Sequence, residues 1–216
     1  MGALAVLWRQ GFRPRAPASP LLDLRRIVGE TGWANLPLAV RARFGVHAGG
    51  AVIRYPGTMV VRANRAGRWL AQACRLIGTP LAPWTGEAVA VDVAVRRDGA
   101  AMVWDRIYKF ADRPPVLVSS RKMAAPDGGL MEIAHGGLGM TLDVTEEAGA
   151  LHFRSTGYFW RVLGLRLPIP PLLTPGRAHV LHEDLGAGRF RFALTFRHPL
   201  LGETFFQDGV FEDPAE

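Results

Sequence analysis

The sequence predicts an α+β chain of mostly antiparallel β-structure, folded as a curved meander sheet or a partly closed β-barrel with short N-terminal helices. Three observations carry that expectation. From Glu87 onward, apolar residues recur at every second position, the period of a strand. Roughly eight to ten such runs follow one another through short turns, which suits a meander rather than crossovers through helices. The 25 glycines and 16 prolines favour many turns over long helices. A sheet of that extent buries its apolar face only by curling or closing.

Residues 1–20, ending in FRPRAPASP, read as a flexible tail, and 21–216 as a single β-rich domain. SPLLDLRRIVGETG reads as a short helix, with Ser19 as N-cap, Pro20 at the first helical position and Gly29 near its end. LPLAVRARFG reads as another, with Leu38, Arg41 and Ala42 at helical spacing and Gly45 as its stop. AVIRYPGTMVVRAN reads as a strand pair broken at YPGT. RAGRWLAQACRLIG is the clearest helix, with Trp69, Leu70, Ala73, Leu76 and Ile77 on one stripe, and TPLAPWTG is a loop.

The strands come next. EAVAVDVAVRRDG sets Val89, Val91, Val93 and Val95 on one face and Asp92 on the other. AMVWDRIYKF puts Trp104, Arg106, Tyr108 and Phe110 on one face, and RRDGA joins the two runs as a hairpin. PPVLVSSRKMA and LMEIA flank the turn APDGG. Two further strands surround EEAG, two more surround DLGAG, and ETFFQDGVFED closes the chain. LGLRLPIPPLL carries too much proline for an interior strand and reads as a loop or an edge.

Composition excludes several classes of function. The net charge is +7, but the arginines are scattered among acidic residues, and lysine occurs only at Lys109 and Lys122. No basic run or nucleic-acid motif is present. The lone Cys74 excludes an internal disulfide framework and reads as a buried, inert thiol. No apolar stretch approaches the roughly 18 residues of a membrane span, and the start lacks the pattern of a signal peptide. The default location is therefore the cytoplasm. No Gly-x-Ser-x-Gly, Cys-x-x-Cys or Walker loop occurs, and no cofactor or metal site is read. HVLH (His179 to His182) has zinc-like spacing only on a helix, because on a strand the two rings face opposite ways. Ser119 and Lys122 in SSRK likewise need a helical turn to meet.

The inward faces hold the one clue to a site. Arg106 shares its face with Trp104 and Tyr108, so its guanidinium must be paired or reach water. Glu132, alternating with Leu130 and Ala134, is the candidate partner. Ser120 and Lys122 share a face with Val116 and Val118. His182 lies on the face of Val180, and His198 ends the phenylalanine face of RFRFALTFRH. Two arrangements account for so many inward polar groups. One is a lined cavity; the other is a set of structural polar pairs at strand ends.

Ordered blocks of the chain, among them YPGTMVV, VWDRIYKF, LMEIAHGGLGM, LHFRSTGYFW, LPIPPLLTPG and HEDLGAGRFRFALTFRHPLLGE, resemble a bacterial domain-of-unknown-function family, number four-one-six-six of that series. The resemblance spans roughly Leu21 to Phe211 and carries no catalytic signature. It implies recurring polar positions at Arg106, Glu132, Tyr158, His182 and His198. It also implies an NAD(P)-dependent, saccharopine-dehydrogenase-like protein as partner, since members of the family occur alone or fused to such proteins.

The functional expectation is a binding module for a small or lipid-like anionic ligand in a barrel cavity. Its walls would be Trp104, Tyr108, Phe190, Phe192 and Phe196. Arg106 would offer a fork to a carboxylate or phosphate, with Lys122, Glu132, Tyr158, His182 and His198 completing the binding set. Two alternatives stand beside it. One is a hydrolase or isomerase using His182 or His198 as base and Glu132 as acid. The other is a non-catalytic domain that docks through the 168–175 loop onto a dehydrogenase-like protein.

Overall fold

The computed structural model describes residues 21–45 and 51–214. Three short helices come first: α1 (Leu24–Val28), α2 (Glu30–Asn35) and α3 (Leu38–Phe44). Strand β1 (Ile53–Ala63) leads into α4 (Arg65–Ala73), which continues as a 3-10 turn over Cys74–Ile77. Ten strands follow: β2 (Gly86–Asp98), β3 (Ala101–Lys109), β4 (Val116–Ala124), β5 (Leu130–Ala134), β6 (Leu138–Glu147), β7 (Ala150–Val162), β8 (Leu165–Pro168), β9 (Arg177–Gly186), β10 (Arg189–His198) and β11 (Gly202–Glu212). A second 3-10 turn, Pro171–Leu173, separates β8 from β9.

The strands pair in the order β6-β5-β4-β3-β2-β1-β11-β10-β9-β7, and β6 pairs with β7 to close the ring. The result is a closed, antiparallel barrel of ten strands. Closure removes the long free edges that an open sheet would expose. The remaining strand, β8, is a short flap on the outer part of β7, and its Pro168 suits that edge position. Alternation along the strands turns Phe153, Phe205, Phe211, Leu130 and Leu151 into the interior, where all are buried.

The helices sit at opposite ends of the barrel. α3 lies beside the turn between β9 and β10, where the buried Arg43 pairs with Asp184 at 2.9 Å and Asp213 at 2.6 Å. Its guanidinium also covers the Phe190 ring at 4.5 Å. Phe44, next along α3, enters this plugged end of the barrel. α4 lies at the other, open end, where β1 finishes against β11. Asn64 caps α4 by accepting from the Gly67 N–H at 2.8 Å. Gly67 rests against the Thr204 carbonyl so closely that any Cβ would collide with it.

Several local expectations need correction. α1 begins at Leu24 and is capped by Asp23, whose carboxylate accepts from the Arg25 N–H at 3.0 Å. Ser19, Pro20 and the proposed tail 1–20 lie outside the described residues. α3 buries Val40, Arg43 and Phe44, not the face of Leu38 and Ala42. YPGT does not break the first strand. Pro56 stays in register with Asp92 of β2, one residue before the ladder to β11 begins at Gly57. Gly57 is a point of close approach rather than a turn, because a Cβ there would strike the Phe211 ring. The stripe on α4 is split: Trp69, Ala73 and Leu76 are exposed, Leu70 is half-buried and lines the interior cavity, and the helix buries Gly67 and Ala71. Among the described residues no helix is long and apolar enough to cross a membrane.

Candidate functional site

Register brings the polar interior together. In β4 and β5, Lys122 and Glu132 are directly opposed. In β3 and β4, Trp104 opposes Ser120, and Arg106 reaches Ser120 on the diagonal. The Arg106 Nη1 donates to the Ser120 hydroxyl at 3.1 Å, which donates to the Glu132 Oε1 at 2.6 Å. The Lys122 Nζ stands 3.1 Å from the same oxygen, and the Arg106 Nη2 stands 3.5 Å from it. Lys122 also lies over the Trp104 ring at 4.8 Å, a cation–π contact that compensates part of its lost hydration. The cluster therefore holds two cations against one carboxylate, all nearly buried.

Burial pushes the Glu132 carboxyl up, but Lys122, Arg106 and the Ser120 hydroxyl outweigh it and hold the group down at about 2. Burial brings the Lys122 ammonium down to about 8 against the pull of Glu132, with Arg106 adding to the fall. At neutral pH all three groups are charged, and the enclosed cluster keeps one excess positive charge.

Beside the cluster is a cavity of about 190 Å³. It exceeds the roughly 150 Å³ of an engineered cavity that holds benzene. Trp104, Tyr108, Phe190, Phe192 and Phe196 all line it. At the open end its wall includes Leu173, which is 71% exposed, so the space reaches the surface there. Arg106, Lys122, Glu132, Tyr158 and His182 line it as well. Tyr158 donates its hydroxyl to the Gly176 carbonyl at 2.6 Å, and burial pushes its pKa up to about 12. The Tyr108 hydroxyl pairs with the Gln207 amide across the interior.

His182 sits deeper, at the plugged end. Its ring meets Phe44 edge-on at 4.7 Å and Phe190 at 4.6 Å. Burial, then the charge of Arg43, pushes it down to about 3, so it is neutral. Its Nε2 is buried with no hydrogen-bond partner among the described residues. This fixes the sign of a pH effect. Between pH 3 and 6.5 the unfolded imidazole binds a proton that the folded one refuses, so stability falls as pH drops through that window. We expect His182→Leu to flatten the slope of urea-unfolding free energy from pH 6.5 towards about 5, by up to ~1.4 kcal/mol per pH unit. His179 is also lowered, by burial first, and His179→Gln serves as the control. An unchanged slope in His182→Leu would show that the ring titrates freely.

His198 departs from the rest of the predicted set. It is buried but is not part of the cavity lining. Its Nδ1 accepts from the N–H groups of Leu200 and Leu201, each at 3.2 Å, so the proton lies on Nε2, 3.4 Å from the Leu172 carbonyl. The ring thus shapes the turn between β10 and β11. No hydrogen bond joins His182 or His198 to Glu132 among the described residues. The two histidines of HVLH separate as strand geometry requires: His182 faces inward, while His179 stacks outside on His152 at 5.1 Å. Ser119 likewise faces away from Lys122 and donates to Asp105 at 2.5 Å.

Sequence reasoning missed Phe44, Gln207 and the wall residues Leu81, Ile169 and Leu173. Gln207 could have been found, since it alternates with the inward Phe205 in TFFQDGV. Leu81, Ile169 and Leu173 lie in Pro-rich connections that carry no periodicity.

No curated protein matches the chain. A family model described as Domain of unknown function (DUF4166) matches residues 36–211, so α1 and α2 lie before the matched region. The match takes in every strand of the barrel except the last residue of β11, and the chain belongs to that family.

Proposed function

We propose that the barrel is a binding module for a small or lipid-like anion, such as a fatty carboxylate or an alkyl phosphate. The observation that carries this reading is the buried pair Arg106 and Lys122, which share the single carboxylate of Glu132 beside an apolar, partly open cavity. Buried charge of one sign is costly unless it is matched. A bound anion would supply the missing negative charge, taking the Arg106 fork as a bidentate partner. The aromatic walls would then cover its apolar portion. In this reading Glu132 is a counter-ion; a carboxyl held at about 2 has no proton to give at neutral pH.

Native mass spectra of the full chain after incubation with decanoate, palmitate and decyl phosphate test the reading. We expect one retained anion per chain. Arg106→Ala leaves the Lys122–Glu132 pair balanced and should weaken retention by about ten- to a hundredfold, the loss of ~1.5–3 kcal/mol from a charge-assisted hydrogen bond. Affinity should also fall as pH rises through about 8, where Lys122 loses its proton, and Lys122→Met should remove that dependence. If none of the three anions is retained, or if Arg106→Ala retains them as well as the parent, the reading fails.

A further inference from the structure

We propose that the open end of the barrel docks on the surface of a bilayer containing anionic lipid, with the cavity mouth facing the headgroups. The open end is built as a continuous collar. The Asn64 side chain at the head of α4 donates to the Leu201 carbonyl at 2.9 Å, which joins α4 to the turn between β10 and β11. His198 links that turn to Leu172 in the second 3-10 turn, and the Ile169 N–H donates to the Tyr158 carbonyl at 2.9 Å. The Trp160 Nε1 donates to the Gly136 carbonyl at 3.0 Å, joining the hairpin of β7 and β8 to the turn between β5 and β6. Gly136 in turn packs against the Ile77 carbonyl at the end of α4's 3-10 extension.

The collar turns large apolar side chains outward all the way round. α4 and its extension present Trp69, 74% exposed, and Leu76, 91% exposed. The β7–β8 hairpin projects beyond the barrel and carries Leu163, 98% exposed, with Leu165 behind it. Leu172 and Leu200 complete the ring. Apolar groups gathered on one end of a protein mark an interaction surface, in contrast to the same groups scattered singly.

Charge selects what that surface meets. Residues 64–86, 134–142 and 155–177 supply much of the collar and contain no aspartate or glutamate; at its edge Glu87 and Glu203 are paired with Arg62 at 2.8 Å and Arg197 at 3.6 Å, and the β3–β4 loop carries Asp112 beside Arg113. The same stretches carry Arg65, Arg68, Arg75, Arg161 and Arg166, all exposed. A second copy of this chain set rim to rim would oppose arginine to arginine. An anionic bilayer instead takes the leucines and the tryptophan at its apolar boundary and the guanidinium groups at its phosphates. The cavity wall at Leu173 would then face the layer from which an amphiphile could be drawn.

Sedimentation of the full chain with vesicles tests the proposal, using phosphatidylcholine alone and an equimolar mixture of phosphatidylcholine and phosphatidylglycerol. The protein should pellet with the mixed vesicles, far less with the neutral ones, and release as salt rises. Arg65→Ala with Arg161→Ala should weaken partitioning about thirtyfold, at ~1 kcal/mol per arginine near the surface. Leu163→Glu with Leu172→Glu should abolish it, and thermal melts should show that both pairs remain folded. The proposal is overturned by failure to pellet with mixed vesicles, by leucine variants that pellet like the parent, or by an analytical-ultracentrifugation dimer that those variants dissolve. Retention of decanoate measured on the same samples keeps the two readings apart. Retention without pelleting removes only the docking surface, and pelleting without retention removes only the cavity ligand.

Discussion

Glu132→Gln is expected to destabilise the protein by about 3–5 kcal/mol, because it leaves two buried cations without their carboxylate. The amide keeps the shape of the side chain, so packing changes little and the loss is electrostatic. Lys122 is the group that yields. Its pKa, already down at about 8, falls further once Glu132 no longer supports the charge. The sign of the pH dependence follows. Above its folded pKa the lysine is neutral in the native state while the unfolded lysine still binds a proton, so stability rises with pH up to the unfolded value of 10.5. The deficit of Glu132→Gln should therefore shrink as pH rises to about 8, where the parent's Lys122 begins to lose its proton too, and level off above it. Adding Lys122→Met, which leaves Arg106 as the lone charge, should restore part of the stability at neutral pH. Decanoate should stabilise Glu132→Gln more than the parent, since its carboxylate takes the place of Glu132 beside Arg106 and lets Lys122 regain its proton. Urea unfolding across pH checks all three statements. A loss below about 1 kcal/mol at neutral pH would mean that water reaches the cluster freely.

Phe44→Ala carries the second large effect. Phe44 closes the plugged end, with its ring 5.7 Å from Trp104, 5.9 Å from Phe153 and 4.7 Å from His182. Truncation removes the buried area and leaves a void among rigid rings, at a cost of about 3–5 kcal/mol. Phe44→Leu, which refills most of the space, should lose less. The void is continuous with the cavity, because Phe44 is part of its wall. Truncation should therefore shift retention from decanoate towards palmitate in native mass spectra. If Phe44→Ala unfolds at the parent's urea concentration, α3 is not a stopper for the barrel.

The parts of the site that were legible in the sequence were those set by strand period alone. Trp104, Arg106 and Tyr108 had to share a face, as did Ser120 with Lys122, and two large aromatics identified that face as the inner one. What could not be read depends on contacts far apart in the chain. The pairing of β1 with β11, which joins the two halves of the chain and turns a curved sheet into a closed ring, leaves no local trace. Trp69 and Leu76 show the limit of periodicity on a helix. It identified the stripe, but only the fit of Gly67 against Thr204 decides that the face of Gly67 and Ala71 is the one buried. Pro56 and Gly57 looked like a turn by composition. Their role in β1 follows from where β11 ends and where the Phe211 ring lies. His198 stood at the end of an inward face, yet its acceptor nitrogen is taken by the two residues that begin the next turn.

The position of β11 has a consequence for synthesis. The last strand of the barrel to be translated lies between β1 and β10, pairing with both. Until it emerges, the nascent chain presents two naked β edges, one from each half of the molecule. Such edges recruit neighbouring chains. Completion of the ring is thus postponed until residues 202–212 have been translated, and a message truncated ahead of Gly202 yields a polypeptide with two adhesive flanks for chaperones to shield.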